Sequence, residues 1–205
     1  MNKTICIIPA RSGSRRIKNK NIKSFFGKPI IYWVIKAAKE SKCFDKILVS
    51  SNNKRILNIA NKYGASTLKR SKKLSNDHVS IHDVIQNVIL ELKKTKEHYK
   101  YICYLFPTAA LVKTKDIKNT FNLIKKKNTK FIITVTKYST PIDHSLKINK
   151  KGTVIMRYPK KFAKRTQDMK NFFHDAGHIL GSAQVLLDIR ENGHENVKAK
   201  QENAP

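Results

Sequence analysis

Residues 4–21 read TICIIPARSGSRRIKNKN, an apolar stretch that passes directly into a strongly basic loop. The first part, 4–9, is short, apolar and rich in β-branched residues, a pattern that predicts a fully buried strand. The loop, 10–21, contains arginine, lysine and small residues and no acidic residue. Small residues let backbone N–H groups approach an anion closely, and the arginines and lysines add charged donors. The loop therefore predicts a phosphate site at the end of a buried strand, with a merely basic surface loop as the alternative.

Beyond this loop, strand-like and helix-like segments alternate as far as residue 137. Strands are expected at 46–51, 67–69, 101–106 and 131–136, and helices at 30–42, 53–63, 79–94 and 114–127. Such alternation with short connections predicts an α/β fold in three layers, with a central, mostly parallel sheet and helices on both faces. Ligands of these sheets bind beyond the carboxyl ends of the strands. We therefore expect the chemistry in the loops after Pro9, Ser51 and Phe106.

The pattern changes after residue 137. The segments 145–149 and 153–157 flank Asn149-Lys150-Lys151-Gly152, a turn signal that predicts a β-hairpin. We interpret 138–176 as an arm within a domain of residues 1–187. The remaining residues, 188–205, are polar and lack periodicity, which predicts a mobile tail.

The chain of 205 residues carries a formal net charge of +29. Such a charge is typical of nucleic-acid-binding proteins, but the lysines are spread along the whole chain and no nucleic-acid-binding motif is visible. Biased composition is the simplest interpretation and a polyanionic small substrate the next, and a nucleic-acid partner is not expected. No apolar run approaches the roughly 18 residues of a membrane span, and no signal peptide is visible, so we expect a cytoplasmic protein without a membrane partner. The three cysteines are expected to be reduced thiols.

The basic loop also resembles a known signature. Ile8–Arg15 followed by Lys18–Asn21 is similar to the N-terminal motif of the sugar-acid cytidylyltransferases, which make CMP-activated nonulosonic acids. Further segments resemble the later motifs of that family in the same order: Phe26–Ile30, Ile47–Ser51, Arg70 with Leu74–Asp77, Leu105–Ala109 and Lys164–Asp168. Phe106 and the segment Phe173–Gly177 resemble the branch of the family that activates pseudaminic acid. The resemblance covers most of the chain, from Met1 to Gly177.

This resemblance implies a Rossmann-like nucleotidyltransferase fold. It implies the transfer of CMP from CTP to a nine-carbon 2-keto sugar acid, pseudaminic acid or a related sialic-acid-like nonulosonate, with release of pyrophosphate, in the service of surface-glycan or flagellin glycosylation. It also implies Mg²⁺ as cofactor and a homodimer formed through the β-hairpin arm. On the same basis, Arg11 and Lys20 are expected to be catalytic. The expected nucleotide-binding residues are Ser12, Gly13, Ser14, Arg15, Asn21, Arg70, Asp77 and Ser80, and the expected substrate-binding residues are Phe106, Thr108, Arg165, Gln167 and His174.

Some of these residues could have a structural role instead of a role in ligand binding. Asp77 could instead stabilise its own loop as an Asx turn, and Thr108 could cap a helix or turn. Arg165 could belong to an ordinary basic surface stretch. The aromatic residues at 25, 26 and 33 are expected to pack in the core rather than to stack on a base.

Two acidic positions of the family are not recognisable in this sequence. A D-x-D-T element, whose carboxylates hold Mg²⁺ in the family, has no counterpart after Gly177, and Asn52 stands where family members often have an aspartate. The protein ligands of the metal are therefore not identifiable from the sequence. We interpret the loss of similarity as a shortened C-terminus. The alternative function is that of a catalytically impaired family member that binds nucleotide or RNA.

Overall fold

The computed structural model describes residues 3–14, 16–126 and 131–183, with residues 178–183 described by their backbone alone. The strands are β1 (Thr4–Pro9), β2 (Ser24–Phe25), β3 (Lys28–Pro29), β4 (Lys46–Ser51), β5 (Ser66–Lys69), β6 (Tyr101–Leu105), β7 (Phe131–Lys137), β8 (Leu146–Ile148), β9 (Val154–Met156) and β10 (Phe173–Ala183). The helices are α1 (Ile30–Ser41), α2 (Lys54–Lys62), α3 (Ile81–Lys94), α4 (Thr114–Lys126) and α5 (Pro159–Phe162). Short 3₁₀ turns lie at Lys20–Ile22, Lys73–Ser75, Ile142–His144 and Thr166–Asp168.

The central sheet has six strands in the order β5-β4-β1-β6-β10-β7. Strands β1, β4, β5 and β6 are parallel to one another, whereas β10 runs antiparallel to β6. Side chains alternate across β1: Ile5 and Ile7 share a buried cluster with α3, and Cys6 and Ile8 share one with α1 and α2. A buried parallel strand with helices on both faces is the three-layer α/β arrangement. The fold class predicted from the sequence is confirmed.

Capping residues determine where α2 begins and ends and where α3 begins. Asn53 caps α2, and its side chain accepts hydrogen bonds from two backbone N–H groups of the first turn at 2.8 and 3.3 Å. Gly64, with a φ of +80°, follows the last turn of the same helix. Helix α3 begins at Ile81, slightly later than expected, because Ser80 and Asp83 form a capping box at its start.

The chain divides into two units, one of residues 134–177 and one of the remainder. The smaller unit contains the predicted hairpin, in which β8 pairs antiparallel with β9. The Asn149 side chain accepts hydrogen bonds from two backbone N–H groups of the turn, each at 2.9 Å, and Gly152 adopts a φ of +79°. The hairpin prediction is therefore confirmed.

The predicted limits of the arm, the domain and the tail are not tested by the structure. The boundaries of the arm at 138–176 and of the domain at 1–187 stay predictions, and the tail at 188–205 lies outside the described residues. Within the part of the chain that the structure describes, no helix has the length and apolar character needed to cross a membrane.

The three cysteines are free thiols. Cys6 and Cys43 are buried, and Cys6 lies opposite Cys103 on the neighbouring strand. Burial, with a smaller contribution from Cys103, raises the pKa of Cys6 well above its usual value. The Cys6 thiol therefore stays protonated at neutral pH, as expected for a core residue.

Candidate active site

A cavity of about 600 Å³ opens at the carboxyl ends of β1 and β6. The basic loop (residues 10–21), the segment after β5, the start of α3 and the end of β6 all contribute to it. Its lining residues are Pro9, Arg11, Ser14, Arg16, Ile17, Lys20, Asn21, Arg70, Leu74, Asn76, Asp77, Val79, Ile81, Val84, Phe106, Pro107 and Thr108. Of the three loops in which the sequence predicted the chemistry, those after β1 and β6 meet at this edge of the sheet, where ligands of parallel sheets bind, whereas the loop after β4 does not line the cavity.

Buried polar contacts hold the basic loop in place. The backbone N–H of Ala10 donates to the carbonyl of Ser50 at 2.9 Å, and the Nδ2 of Asn21 donates to the carbonyl of Arg11 at 2.8 Å. Asn21 is itself buried, and its Oδ1 has no hydrogen-bond partner among the described residues. A buried acceptor without a partner is unfavourable. The Oδ1 of Asn21 is therefore available to a donor on a ligand in the cavity.

Arg70 follows β5 and is buried beside the cavity. Its backbone N–H donates to the carbonyl of Ser51 at 2.8 Å, whereas its side-chain Nε finds no hydrogen-bond partner within the described chain. Burial, with a contribution from the positive charge of Arg11, lowers the pKa of Arg70 to about 10. The guanidinium is still charged at neutral pH. A buried cation with an unused donor favours the binding of an anion or a carbonyl oxygen here.

Arg11 forms an ion pair with Asp77, which lies on the segment after β5. Both side chains are partly exposed. The Asx turn of that segment is made by the neighbouring Asn76, whose side chain accepts hydrogen bonds from the N–H groups of His78 and Val79 at 3.0 and 3.1 Å. The structure thus gives Asp77 a partner on the basic loop and gives the loop-stabilising turn to Asn76.

Most of the expected catalytic and nucleotide-binding residues meet at the cavity. Ser12 and Gly13 lie on the basic loop but outside the lining, and Ser80 is the N-cap of α3. Arg15 lies outside the described residues. The expected residues that do line the cavity are Arg11, Ser14, Lys20, Asn21, Arg70, Asp77, Phe106 and Thr108.

The other expected substrate residues belong to the smaller unit: Arg165, Gln167 and His174. The Nε of Arg165 lies 2.9 Å from the carboxylate of Asp168, on an exposed 3₁₀ turn that also carries Gln167. The ring of His174 packs against Tyr138 at a centroid distance of 4.7 Å. Its Nδ1 lies 2.9 Å from the backbone carbonyl oxygen of Asp175. Their roles stay predictions.

Several residues at or beside the cavity were given no binding role from the sequence. Arg16 adds a further cation to the lining, and Leu74 and Val79 add apolar surface. Asn52, at the end of β4, accepts a hydrogen bond from the backbone N–H of Ser12 at 3.1 Å. Arg16 could have been found, because it belongs to the contiguous basic loop. The others depend on how distant segments meet in the fold.

The described residues do not form a Mg²⁺ site. Mg²⁺ prefers carboxylate oxygens in near-octahedral geometry. Within the part of the chain that the structure describes, no group of three or more His, Cys, Asp or Glu side chains is placed to hold a metal. Among the lining residues described, the one carboxylate is that of Asp77, and it is paired with Arg11. The cavity is therefore suited to anions rather than to a metal cation.

Comparisons with known proteins identify the family of this chain. The profile of the cytidylyltransferase family matches residues 5–193. The pseudaminic acid cytidylyltransferase of Campylobacter jejuni is 38% identical over 188 residues, which cover 91% of this chain and 81% of that protein. The CMP-N,N′-diacetyllegionaminic acid synthase of Legionella pneumophila is 29% identical over 74% of this chain and 65% of its own length. A solved CMP:2-keto-3-deoxy-manno-octonic acid synthetase in complex with CTP matches with a TM-score of 0.69 at 18% identity, over 95% of this chain and 80% of that one.

The α/β fold with its parallel sheet is shared with the solved synthetase, and the family profile and the Campylobacter relative define the chain as a nucleotidyltransferase. The chain belongs to the cytidylyltransferase family. The family resemblance inferred from the basic loop and the later motifs is confirmed.

Proposed function

We propose that this chain transfers CMP from CTP to pseudaminic acid, or to a closely related nonulosonic acid, and releases pyrophosphate. The observation that carries the proposal is the cavity, where a buried donor and a buried acceptor lack hydrogen-bond partners among the described residues. These are the Nε of Arg70 and the Oδ1 of Asn21. The relatives named as pseudaminic acid and legionaminic acid enzymes support the choice of sugar acid.

The charges of the cavity favour the same substrates. CTP carries several negative charges, and a nonulosonic acid carries a carboxylate. Arg11, Arg16, Lys20 and Arg70 all line the cavity, against the single carboxylate of Asp77 among the described lining residues. Clustered charge in a concave site raises the local concentration of an oppositely charged ligand. Both substrates are therefore attracted to the same surface.

In the proposed reaction, the anomeric hydroxyl oxygen of the sugar acid attacks the α-phosphorus of CTP. The new O–P bond forms as the bond to the β-phosphate breaks, pyrophosphate leaves with that electron pair, and the hydroxyl proton passes to solvent. Arg11 and Lys20 stabilise the charge that builds on the phosphates. We assign nucleotide binding to Ser12, Gly13, Ser14, Arg15, Asn21, Arg70, Asp77 and Ser80, and contacts with the sugar acid to Phe106 and Thr108. The roles of Arg165, Gln167 and His174 in binding the sugar acid stay predictions from the family resemblance.

A pyrophosphate-release assay tests this proposal. It contains CTP, pseudaminic acid and MgCl₂, since cytidylyltransferases generally use Mg²⁺ with CTP, and legionaminic and sialic acids serve as competing substrates. We expect the highest kcat/KM with pseudaminic acid. Turnover without preference among the three acids would contradict the assigned substrate. CTP binding without turnover would favour the impaired-member alternative, and absence of CTP binding would contradict the proposal itself.

Two lysines of the basic loop provide a matched pair for this assay. Lys20 lines the cavity, whereas Lys18 is exposed and lies outside the lining. Lys20→Ala is expected to lower turnover by about 100- to 1,000-fold, as is typical when a stabiliser of transition-state charge is removed. Lys18→Ala is expected to stay close to the wild type. Equal effects of the two changes would remove Lys20 from the mechanism.

We also propose that the β8–β9 hairpin joins two copies of the chain in a homodimer. Leu146 pairs with Met156 and Ile148 pairs with Val154, so these four apolar side chains share one face of the hairpin. All four are exposed within the single chain. An apolar face on a short hairpin is unfavourable in water and favours burial against an identical face.

Light scattering at micromolar concentration measures the oligomeric state directly. The wild type is expected to have the mass of a dimer. Ile148→Lys places a charge on the apolar face and is expected to give a monomer, whereas Lys147→Gln changes the opposite face and is expected to leave the dimer intact. A monomeric wild type would contradict the homodimer while leaving the proposed reaction untouched.

A further inference from the structure

An ion pair spans the cavity between the basic loop and the segment after β5, residues 70–79. The Nη1 of Arg11 contacts the Oδ1 of Asp77, and both residues line the cavity. The two segments follow β1 and β5, which are separated in the sheet by β4. The pair therefore connects two parts of the site that the sheet itself keeps apart.

The backbone is held independently on both sides of this pair. The Nδ2 of Asn21 donates to the carbonyl of Arg11 at 2.8 Å. On the other side, Asn76 forms its Asx turn, and its Nδ2 donates to the carbonyl of Lys73 at 3.0 Å. The side chains of Arg11 and Asp77 keep 37% and 26% of their surface exposed. They can therefore separate by changes of rotamer while both segments stay in place.

Asp77 and a bound triphosphate would compete for the same cation. Carboxylates and phosphates are both anionic acceptors, and both pair with the guanidinium of an arginine. The proposed reaction requires Arg11 to face the phosphates of CTP. A triphosphate in that place would also bring several negative charges close to the carboxylate of Asp77, and like charges repel. The ion pair in this structure is therefore opposed to phosphate binding.

The same ion pair is favourable when no anion is bound. Burial and, next, the positive charge of Arg11 lower the pKa of Arg70, which shows that the two arginines repel each other. The carboxylate of Asp77 offsets this repulsion, because it places a negative charge beside Arg11. A bound phosphate would supply that negative charge instead.

We propose that Asp77 is an internal competitor of the nucleotide, which pairs with Arg11 in the free protein and yields it to the triphosphate of CTP. The inference rests on the proposed function, because it takes the cavity to bind phosphates. This exchange is the part that Asp77 plays in the nucleotide site. The affinity for triphosphates is therefore lower than the cations of the cavity alone would give, and the reverse exchange promotes the release of pyrophosphate.

Calorimetric titration with inorganic tripolyphosphate isolates this exchange, because the probe has no nucleoside that Asp77 could contact. Asp77→Asn keeps a polar side chain of the same size and removes its charge. It is expected to tighten tripolyphosphate binding by about three- to tenfold. Unchanged or weaker binding would overturn the inference. Failure of the wild type to bind tripolyphosphate would instead contradict the phosphate site on which the proposed function depends.

Glu91→Gln is the matched control for the change in net charge. Glu91 forms an ion pair with Lys94 at 2.7 Å on α3, and both residues lie outside the lining of the cavity. The change removes the same charge from another ion pair and is expected to alter tripolyphosphate affinity by less than about twofold. Equal tightening by Glu91→Gln and Asp77→Asn would show that overall charge is responsible and would overturn the inference.

Arg11→Gln tests whether the effect of Asp77 passes through Arg11. Without the guanidinium there is no cation to exchange, so adding Asp77→Asn is expected to tighten tripolyphosphate binding by less than about twofold. The same gain with and without Arg11 would show that the carboxylate acts by its charge alone, and the exchange would be wrong.

Thermal unfolding distinguishes the exchange from a purely structural role. Asp77→Asn is expected to lower the melting temperature of the free protein by about 1–3 °C, because the repulsion between Arg11 and Arg70 is no longer offset. Stability and affinity for tripolyphosphate are thus expected to change in opposite directions. A structural role alone would weaken both together, and that result would overturn the inference.

Discussion

At the scale of single residues, Arg70 combines two unfavourable properties in the free protein. It is a buried cation, and its Nε makes no hydrogen bond with the residues that the structure describes. Burial of charge and burial of an unpaired donor both lower stability. A bound nucleotide would supply a negative charge, an acceptor or both. The instability therefore belongs to the free state and is relieved when the site is filled.

Arg70→Met tests this conflict between stability and binding. Methionine replaces the aliphatic part of the side chain and removes the charged guanidinium, so we expect the free protein to melt higher by roughly 2–5 °C. CTP affinity is expected to fall by about tenfold or more, because a charged donor is lost. Thermal unfolding and calorimetric titration measure the two effects.

Arg16→Met is the control, because Arg16 lines the same cavity but is exposed. It is expected to leave the melting temperature unchanged. A lower melting temperature for Arg70→Met would show that the guanidinium supports the fold rather than the ligand.

The basic loop could be identified from the sequence because its cations lie close together along the chain. The pairing of Arg11 with Asp77 could not be predicted from the sequence. The contact of Asn52 with Ser12 could not be predicted either. Each contact joins segments that follow two different strands. Their proximity depends on the order β5-β4-β1 in the sheet, which local patterns do not encode.

At the scale of elements, the hairpin of β2 and β3 is too short to produce a periodic pattern. Phe26 and Gly27 form its turn, with φ of +46° and +73°. The expectation that Phe26 packs in the core is wrong, since 79% of the residue is exposed. Trp33 is partly buried, and its Nε1 donates to the carbonyl of Phe25 at 2.8 Å. The turn therefore holds a bulky aromatic residue in a left-handed conformation that suits asparagine or glycine.

Phe26→Asn is expected to raise the free energy of unfolding by about 0.5–1 kcal/mol, because asparagine adopts the left-handed conformation more readily. Denaturant unfolding measures the change. Phe26→Ala also removes the ring but keeps the conformational penalty, so it is expected to fall below Phe26→Asn. Equal stability of the two variants would contradict this account of the turn.

The connection between α3 and β6 carries a carboxylate network. Both carboxylate oxygens of Glu97 lie 2.8 Å from the Nζ of Lys46, and the hydroxyl of Tyr99 donates to Glu97. Hydrogen bonds from Lys46 and Tyr99 lower the pKa of Glu97, and hydrogen bonds from Thr4 lower that of Asp45. A carboxylate with a lowered pKa in the folded state stabilises the fold above its unfolded pKa and loses that effect as pH falls through the folded value.

Glu97→Gln is therefore expected to lower the free energy of unfolding at neutral pH and to converge with the wild type well below the ordinary glutamate pKa of 4.5. Urea unfolding at several pH values measures this difference. Glu91→Gln, at a helix ion pair with Lys94, is the control and is expected to have little effect at any pH. A pH-independent effect of Glu97→Gln would contradict the assignment.

At the scale of the whole molecule, the net charge of +29 acts beyond the cavity. CTP affinity is expected to fall by about tenfold between about 50 and about 500 mM KCl, because salt screens the attraction between the protein and the triphosphate. Cytidine affinity is expected to stay constant over that range. Calorimetric titration measures both, and CTP binding that ignores salt would show that local contacts alone hold the nucleotide.

Lysines far from the cavity distinguish the effect of the overall charge on CTP binding from the effect of the charges that line the cavity. Lys93 and Lys94 lie at the end of α3 opposite to Ile81, which lines the cavity. Changing both to glutamine is expected to lower the association rate of CTP by less than about twofold and to leave its dissociation rate unchanged.

One strand of the sheet has no clear signal in the sequence. Strand β10, Phe173–Ala183, interrupts its apolar residues with polar ones and with glycine, and it pairs antiparallel with β6. Parallel strands could be predicted because each is followed by a helix with its own apolar periodicity. The position of β10 follows only from the tertiary structure, which places it between β6 and β7.

The position of β10 between β6 and β7 determines when the central sheet can be completed during synthesis. Strands β6 and β7 are synthesised before β10, yet β10 lies between them, so the sheet cannot be completed in the order in which the nascent chain emerges. Until then β6 presents an open edge, which is prone to incorrect pairing. Ribosome-bound chains stalled before β10 are therefore expected to be cleaved by protease at β7 while β5, β4, β1 and β6 are protected. Release beyond β10 is expected to protect β7 in a single late step.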